Sequence, residues 1–487
     1  MTRDCEDAVN ALRRTRRRNA RLLWILPVVA AVGVGALGGL ASSARSAAAP
    51  GPSEGLVCDD GVVTPGTPND RVFTLTAKKG QIFTADGNQV PMWGFSSGND
   101  AYQYPSPFLC AQEGDRITVV LHNRLGSAGA TPIRTSIMFP GQADVTSDGV
   151  PVQPELVTPG DPSAGVASLV PSVGDGDTIT YSFVAAHAGT YIYESGTSTA
   201  VQLQMGLFGG LIVRPALGPG GEHLLYGGHP NTQYDPRREQ VHLLSDVDPA
   251  LHIAVDKGRP HATEGFRPRY WFINGRGFPD TTAPNFADWL PNQPYGSSLH
   301  VLPIWLPAHH GGAGSPGGYD TQPAAVRYIN ASETAHPFHA HSADTMIHAV
   351  DGRPLESSTG VDLTENHYSV EIAPGQTMDA TWSYEYIGTH TASGVNVPFD
   401  PASNPVPVPT QDFRDNRWTP ATWASGTPYL GIQDDLPNGV TTLNECGEYY
   451  SVSHSHAVEE ATTYGAAGGG MLTLYRIDPP GHEGCTP

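Results

Sequence analysis

Fifty-six glycines and 44 prolines punctuate the 487 residues, and after residue 49 they leave no long stretch in which a helix could run. Proline removes a backbone donor and clashes inside a helix, while glycine loses the most entropy there. A chain cut this way favours short strands joined by turns. "DRITVVLHN" (115–123) has the β-branched content of a buried strand, and "DTITYSFV" (177–184) alternates polar with apolar residues. "FGGLIVRP" (208–215), "VRYIN" (326–330), "HYSVEIA" (367–373) and "MLTLYRI" (471–477) read the same way. The pattern predicts an all-β fold of the sandwich type.

The strand-like runs fall into two groups. A first domain is expected over 50–216, closed by the strand that ends at Pro215. A Gly/Pro-rich, charged connector follows at 217–240, and a second domain covers 241–480. Gly311–Gly318 and "PFDPASNPVPVPTQDFRDN" (398–416) read as long surface loops within it, since strand-like sequence resumes beyond each. Whether this second region holds one enlarged sandwich or two is open at this level.

Residues 1–49 run from a basic stretch (Arg13, Arg14, Arg16, Arg17, Arg18, Arg21) through an apolar run at 22–40 to small residues. That is the order of an export signal, and the adjacent arginines keep the twin-arginine route open. The apolar run also approaches the length of a membrane span, so a retained anchor is the alternative. The expected location is outside the cell or on the outer face of its envelope. Residues 1–49 carry eight arginines and three acidic groups, leaving 19 basic and 45 acidic side chains and a formal net charge of −26. Such a surface repels nucleic acid and anionic lipid and favours cations or small molecules as partners. Four cysteines remain, Cys58, Cys110, Cys446 and Cys485, compatible with two disulfides. Pairing within each end of the chain, Cys58 with Cys110 and Cys446 with Cys485, is the expectation, although connectivity is not fixed by sequence.

The chemistry concentrates in two segments, "HPFHAH" (336–341) and "SVSHSHAVEE" (451–460). His339 and His341 stand two apart, as do His454 and His456, so in extended strands each pair points to one side. Two such pairs on adjacent strands would bring four imidazoles together, and neutral imidazole suits copper, zinc and iron. The bland alternative is an accidental cluster of exposed histidines. His348 is expected to pack or hydrogen-bond, His187 to mark a turn, and His309 with His310 to form an exposed pair. Tyr449, Tyr450 and Tyr464 would line a pocket or pack in the core.

The segments "VRYINASETAHPFHAHSADTMIHAVDGRPL", "VEIAPGQTMDATW" and "SHSHAVEEATTYGAAGGGML" resemble the last domain of the multicopper oxidases. "EGDRITVVLHNRL", "SDGVP", "AGTYIYESG" and "GLFGGLIVRP" resemble their first domain, and the likeness spans nearly all of the chain beyond residue 49. The resemblance implies tandem cupredoxin domains, which are Greek-key β-sandwiches, and copper as cofactor. It implies electrons taken at a blue copper and passed to a three-copper cluster that reduces dioxygen.

The family's ligand pattern is broken in this chain. His336 takes the place of a blue-copper ligand, Ser455 that of the blue-copper cysteine and Glu460 that of the next histidine. Gly465 replaces the axial methionine, with Met471 displaced further along. His339, His341, His454 and His456 match cluster ligands. In the first domain, Met138 and Pro140 of "IMFPG" and Glu194 and Gly196 of "YIYESG" replace four histidines.

A serine hydroxyl cannot supply the charge delocalisation of a thiolate. Cys446 would have to loop back to His336 to do so, and a disulfide is its plainer role. The expectation is therefore one metal, copper favoured, on His339, His341, His454 and His456. Glu194 or Glu460 would be additional ligands, and His336 additional or vestigial. Redox chemistry would not be relayed between centres. The alternatives are a catalytically silent scaffold holding no metal, its domain interface filled by Met138, Phe139 and Pro140, and a zinc hydrolase with Glu194 or Glu460 as base.

Overall fold

Along Arg116–Asn123 every second side chain is buried, with Ile117, Val119 and Leu121 facing inward. Thr178–Val184 pairs with it antiparallel, from Thr178 opposite His122 to Val184 opposite Arg116, and adds Ile179, Tyr181 and Phe183 to the same face. Asp70–Phe83 runs parallel on its other side and supplies Phe73, Leu75 and Ala77. Each such side chain stabilises the fold by roughly 1.5–3 kcal/mol on burial, which fixes the register because a one-residue slip would expose them all.

The computed structural model describes residues 54–128, 131–259, 265–304, 320–384, 389–390, 396–397 and 449–477. The leader at 1–49, Cys446, Cys485, His309, His310, the glycine-rich 311–318 and the stretch 398–416 lie outside these residues. Among the described residues no helix is long and apolar enough to cross a membrane.

Apart from two short two-stranded ribbons, the strands up to residue 214 form a seven-stranded sheet facing a three-stranded one, Gly189–Glu194, Phe208–Arg214 and Leu109–Gln112. Cys58 is bonded to Cys110, as expected from their common end of the chain. The strands from residue 239 onward form a second pair. One sheet orders Tyr270–Ile273, Glu239–Val247, Ala324–Asn330, Thr377–Trp382, Thr345–Val350 and Arg353–Pro354, with Glu365–His367 paired to Thr345–Val350. The other orders Leu299–Val301, Leu472–Ile477, Tyr449–Ser455, His336–Ala340 and Ser369–Ile372. These two sheets enclose a common core that includes Trp271, Val326, Tyr328, Phe338, Trp382 and Tyr475.

Glu239–Val247 and Ala324–Asn330 are buried along their whole length rather than on alternate residues. The reason is a third core between the two sandwiches. Val241, Leu243 and Ile329 turn toward Tyr104, Phe108, Ile192, Phe208 and Ile212 of the first sandwich, while Leu244, Val326 and Tyr328 turn inward. The Gly/Pro-rich segment 217–240, polar by composition, packs here too. Leu225, Tyr226 and Tyr234 are buried against Ala188, Ala325 and Ala349.

A buried ionic network crosses the same junction. Arg327 donates to Glu239 Oε1 and to Asp379 Oδ1, each at 2.7 Å. Asp379 also accepts from the Thr190 backbone and hydroxyl and from the Tyr226 hydroxyl. Glu239 in turn accepts from Arg214 at 2.8 Å. Burial alone would raise the Glu239 carboxyl, but Arg327 and Arg214 outweigh it and hold the group below its ordinary range.

Candidate metal centre

His336–Ala340 and Tyr449–Ser455 are antiparallel neighbours with His339 directly opposite His454. Residues opposite one another share a face, and period two adds His341 and His456 to it. The ladder continues past both strand ends, since the His341 amide donates to the Val452 carbonyl and the His456 amide to the Pro337 carbonyl. The sequence-predicted imidazoles therefore meet. Ring centres lie 4.8 Å apart for His339–His341, 5.3 Å for His341–His454 and 5.8 Å for His339–His454. His456 lies 5.4 Å from His339 and 5.6 Å from His454. The rings thus form two triangles sharing the His339–His454 edge, with His341 and His456 at opposite corners.

Hydrogen bonds orient the two central rings. His454 donates from Nδ1 to the Ser455 carbonyl at 2.7 Å, and His339 donates from Nδ1 to the Tyr368 carbonyl. Each is left presenting Nε2, as metal-ligating histidines do. Burial pushes the His454 pKa down to about 4, and the neighbouring imidazoles add to this. Its Nε2 thus carries a lone pair at neutral pH, and His341 Nε2 donates to it across 3.2 Å. With metal–nitrogen bonds of about 2.0–2.1 Å and tetrahedral angles, two ligating nitrogens stand roughly 3.3 Å apart and two ring centres roughly 5 Å apart. The His341–His454 pair meets that spacing, and the five ring separations lie close to it. Among the described residues no three histidine, cysteine, aspartate or glutamate side chains are posed together as ligands. His339 or His456 would have to turn to join the pair.

The first sandwich offers this cluster little. Met138 and Glu194 pair through their backbones, at 2.7 and 3.1 Å. A Cβ on Gly196 would come 3.1 Å from Val170 and 3.2 Å from the Ser136 hydroxyl, so this position has no room for an imidazole. The metal-free scaffold reading expected Phe139 to fill the domain interface, and it does not. It is buried in the first sandwich's own core, 4.8 Å from Phe183, because it alternates with Met138 and Pro140. Pro140 lines a cleft of about 420 Å³ together with Tyr191, Asp351 and residues 373–377. Glu194 is half-buried, and that burial pushes its carboxyl up to about 7.

The three residues at the blue-copper positions also meet, but they bind one another. His336 is fully buried and donates from Nδ1 to Glu460 Oε2 at 2.8 Å; its Nε2 lies 2.7 Å from the Ser332 hydroxyl. The Ser455 hydroxyl donates to the same Glu460 oxygen. Both ring nitrogens are occupied and no cysteine joins them among the described residues, so these side chains as they stand do not fit a blue copper. Met471 is buried in the second core, and Gly465 occupies a left-handed turn, φ 85°. Glu460 turns inward as expected, but toward His336 and Ser455. Asp246, which accepts from the Thr334 hydroxyl at 3.2 Å, is raised to about 6 by burial.

Other expectations resolve simply. His348 is buried, 2.8 Å from the Thr381 hydroxyl. His187 lies on a bend. Tyr464 does not join the core. It is exposed, its ring 5.7 Å from that of Tyr270, because it sits in a left-handed turn at φ 50°. Tyr449 and Tyr450 fall on a strand whose side chains there lie outside the described set. Sequence reasoning passed over Ser332 and Tyr368. Neither belongs to a histidine motif, and their places follow from strand pairing alone.

Residues 76–217 match the family model described as "Multicopper oxidase". The multicopper oxidase mgLAC is similar in structure, with 17% identity, 84% of this chain and 86% of that chain covered, and a TM-score of 0.50. The blue copper oxidase of Nitrosomonas europaea is 18% identical over 84% of this chain and 86% of its own, with a TM-score of 0.49. No curated protein matches the sequence.

Proposed function

We propose that this chain, which carries a multicopper-oxidase domain at residues 76–217 and folds as tandem cupredoxins, binds a single metal ion, copper favoured, on the facing histidine pairs. His341 and His454 would hold it, His339 would complete a set of three, and His456 at the exposed rim would be the fourth. The observation carrying this reading is the 3.2 Å approach of His341 Nε2 to His454 Nε2, with the imidazole of His339 turned by the Tyr368 carbonyl to offer Nε2. A bound copper ion would supply one-electron chemistry to a molecule bound directly to it. The protein's own contribution is to fix the tautomers of His339 and His454 and to keep the cluster partly out of water.

Relayed oxidation of the family's kind is not part of this reading. His336, Ser455 and Glu460 satisfy one another, and the first-sandwich positions carry Met138, Pro140, Glu194 and Gly196. Export is supported by the order of residues 1–49 and by the Cys58–Cys110 disulfide, which suits an oxidising compartment. The acidic balance beyond residue 49 would draw cations toward the surface.

The test is the visible spectrum of the copper-loaded protein. A site of imidazoles alone gives only weak ligand-field absorption, because the intense blue band, at about 600 nm, arises from a thiolate–copper bond. An intense band there would mean that a cysteine reaches the metal and would refute the assignment.

A further inference from the structure

We infer that Tyr368 gates the imidazole cluster, its ring controlling how fast a metal ion enters and leaves. The inference rests on the reading of the cluster as a metal site. Tyr368 falls in the break between the strands Glu365–His367 and Ser369–Ile372. Its side chain is 64% exposed, yet its ring centre lies 4.1 Å from that of His339, with the planes tilted by 37°, and 6.4 Å from that of His456. His339 is left only 5% exposed. The residue therefore touches this histidine twice, through its carbonyl on Nδ1 and through its ring over the imidazole.

The two contacts act differently. The carbonyl belongs to the backbone of a strand end and stays in place whatever the side chain does. The ring is free to swing, because the hydroxyl has no hydrogen-bond partner among the described residues and the far side of the ring faces water. Exposed side chains change rotamer far faster than a protein-bound metal ion dissociates. The gate consequently works through the fraction of time it is closed, and a ring–ring contact of ordinary strength favours the closed state about two- to tenfold. Tyr368 is a positioning residue, since it acts on the metal through His339 and through access.

The experiment measures copper uptake and transfer to a chelator by stopped flow, using the full chain, Tyr368→Ala and Tyr368→Phe. Tyr368→Ala is expected to speed both uptake and release about two- to tenfold, with the ratio of the two rates nearly unchanged. Tyr368→Phe is expected to exchange at the parent rate, since the hydroxyl has no hydrogen-bond partner among the described residues. Equal rates in the parent and Tyr368→Ala would overturn the gate while leaving the metal site standing. So would faster release with unchanged uptake, which would make the ring a stabiliser of the bound state. A parent protein that takes up no copper would remove the cluster reading, and the gate with it.

Discussion

Replacing His339 and His454 together by alanine is expected to strip the protein of copper, weakening binding by on the order of a thousandfold or more. The size follows from the register. These two residues form the edge shared by both triangles of rings, and His454 supplies half of the one nitrogen pair already at ligand spacing. The imidazoles that remain, His341 and His456, stand opposite Val452 and Pro337 respectively, four residues apart along the sheet. At about 3.3 Å per residue their backbones are roughly 13 Å apart, near the limit at which two histidines reach one ion from opposite sides, so without the central pair they hold it only weakly. Neither replaced side chain lies in an apolar core cluster, so the fold should survive, which circular dichroism would check. Equilibrium dialysis against copper reads the affinity. A double variant that keeps a full tight equivalent would place the metal elsewhere.

The second large effect is on stability. Asp379→Ala is expected to cost about 3–5 kcal/mol, because it leaves a buried guanidinium without one of its two carboxylates. Arg327 is fully buried and bonded to Asp379 and Glu239, while Glu239 already serves Arg214. Removing Asp379 leaves two cations on one carboxylate, strands the Tyr226 hydroxyl and leaves the Thr190 hydroxyl with only its bond from Arg327. Tyr226→Phe, which deletes one hydrogen bond to a charged acceptor, should cost less, about 1.5–3 kcal/mol. Guanidinium unfolding of the variants gives the ordering. An Asp379→Ala protein within about 0.5 kcal/mol of the parent would mean that the network carries no stability at this junction.

Much of the architecture was legible because its signals are local. Alternation in "DTITYSFV" marks Thr178–Val184, and the spacing of "HPFHAH" and "SVSHSHAVEE" puts each histidine pair on one side of a strand. Long-range features left no such trace. Continuous burial of Glu239–Val247 arises from a neighbouring sandwich, and the burial of Leu225, Tyr226 and Tyr234 runs against the composition of their segment. The site divides the same way. That His339 faces His454 depends on a pairing across 115 residues of chain. At the blue-copper position the substitutions Ser455 and Glu460 were legible, but their closing on His336 and the part played by Ser332 were not. Phe139 was misplaced because its neighbours' role was extended to it, although alternation turns it the other way.

Elemental analysis of the protein after copper loading and removal of loose ions puts the central claim to its plainest test. One copper per chain is the result predicted by two strands presenting imidazoles to one another across a sheet without a counterpart from the first sandwich. Three or four coppers would contradict it by requiring ligands at Met138, Pro140, Glu194 or Gly196. None at all would make the meeting of the histidines a relic of packing.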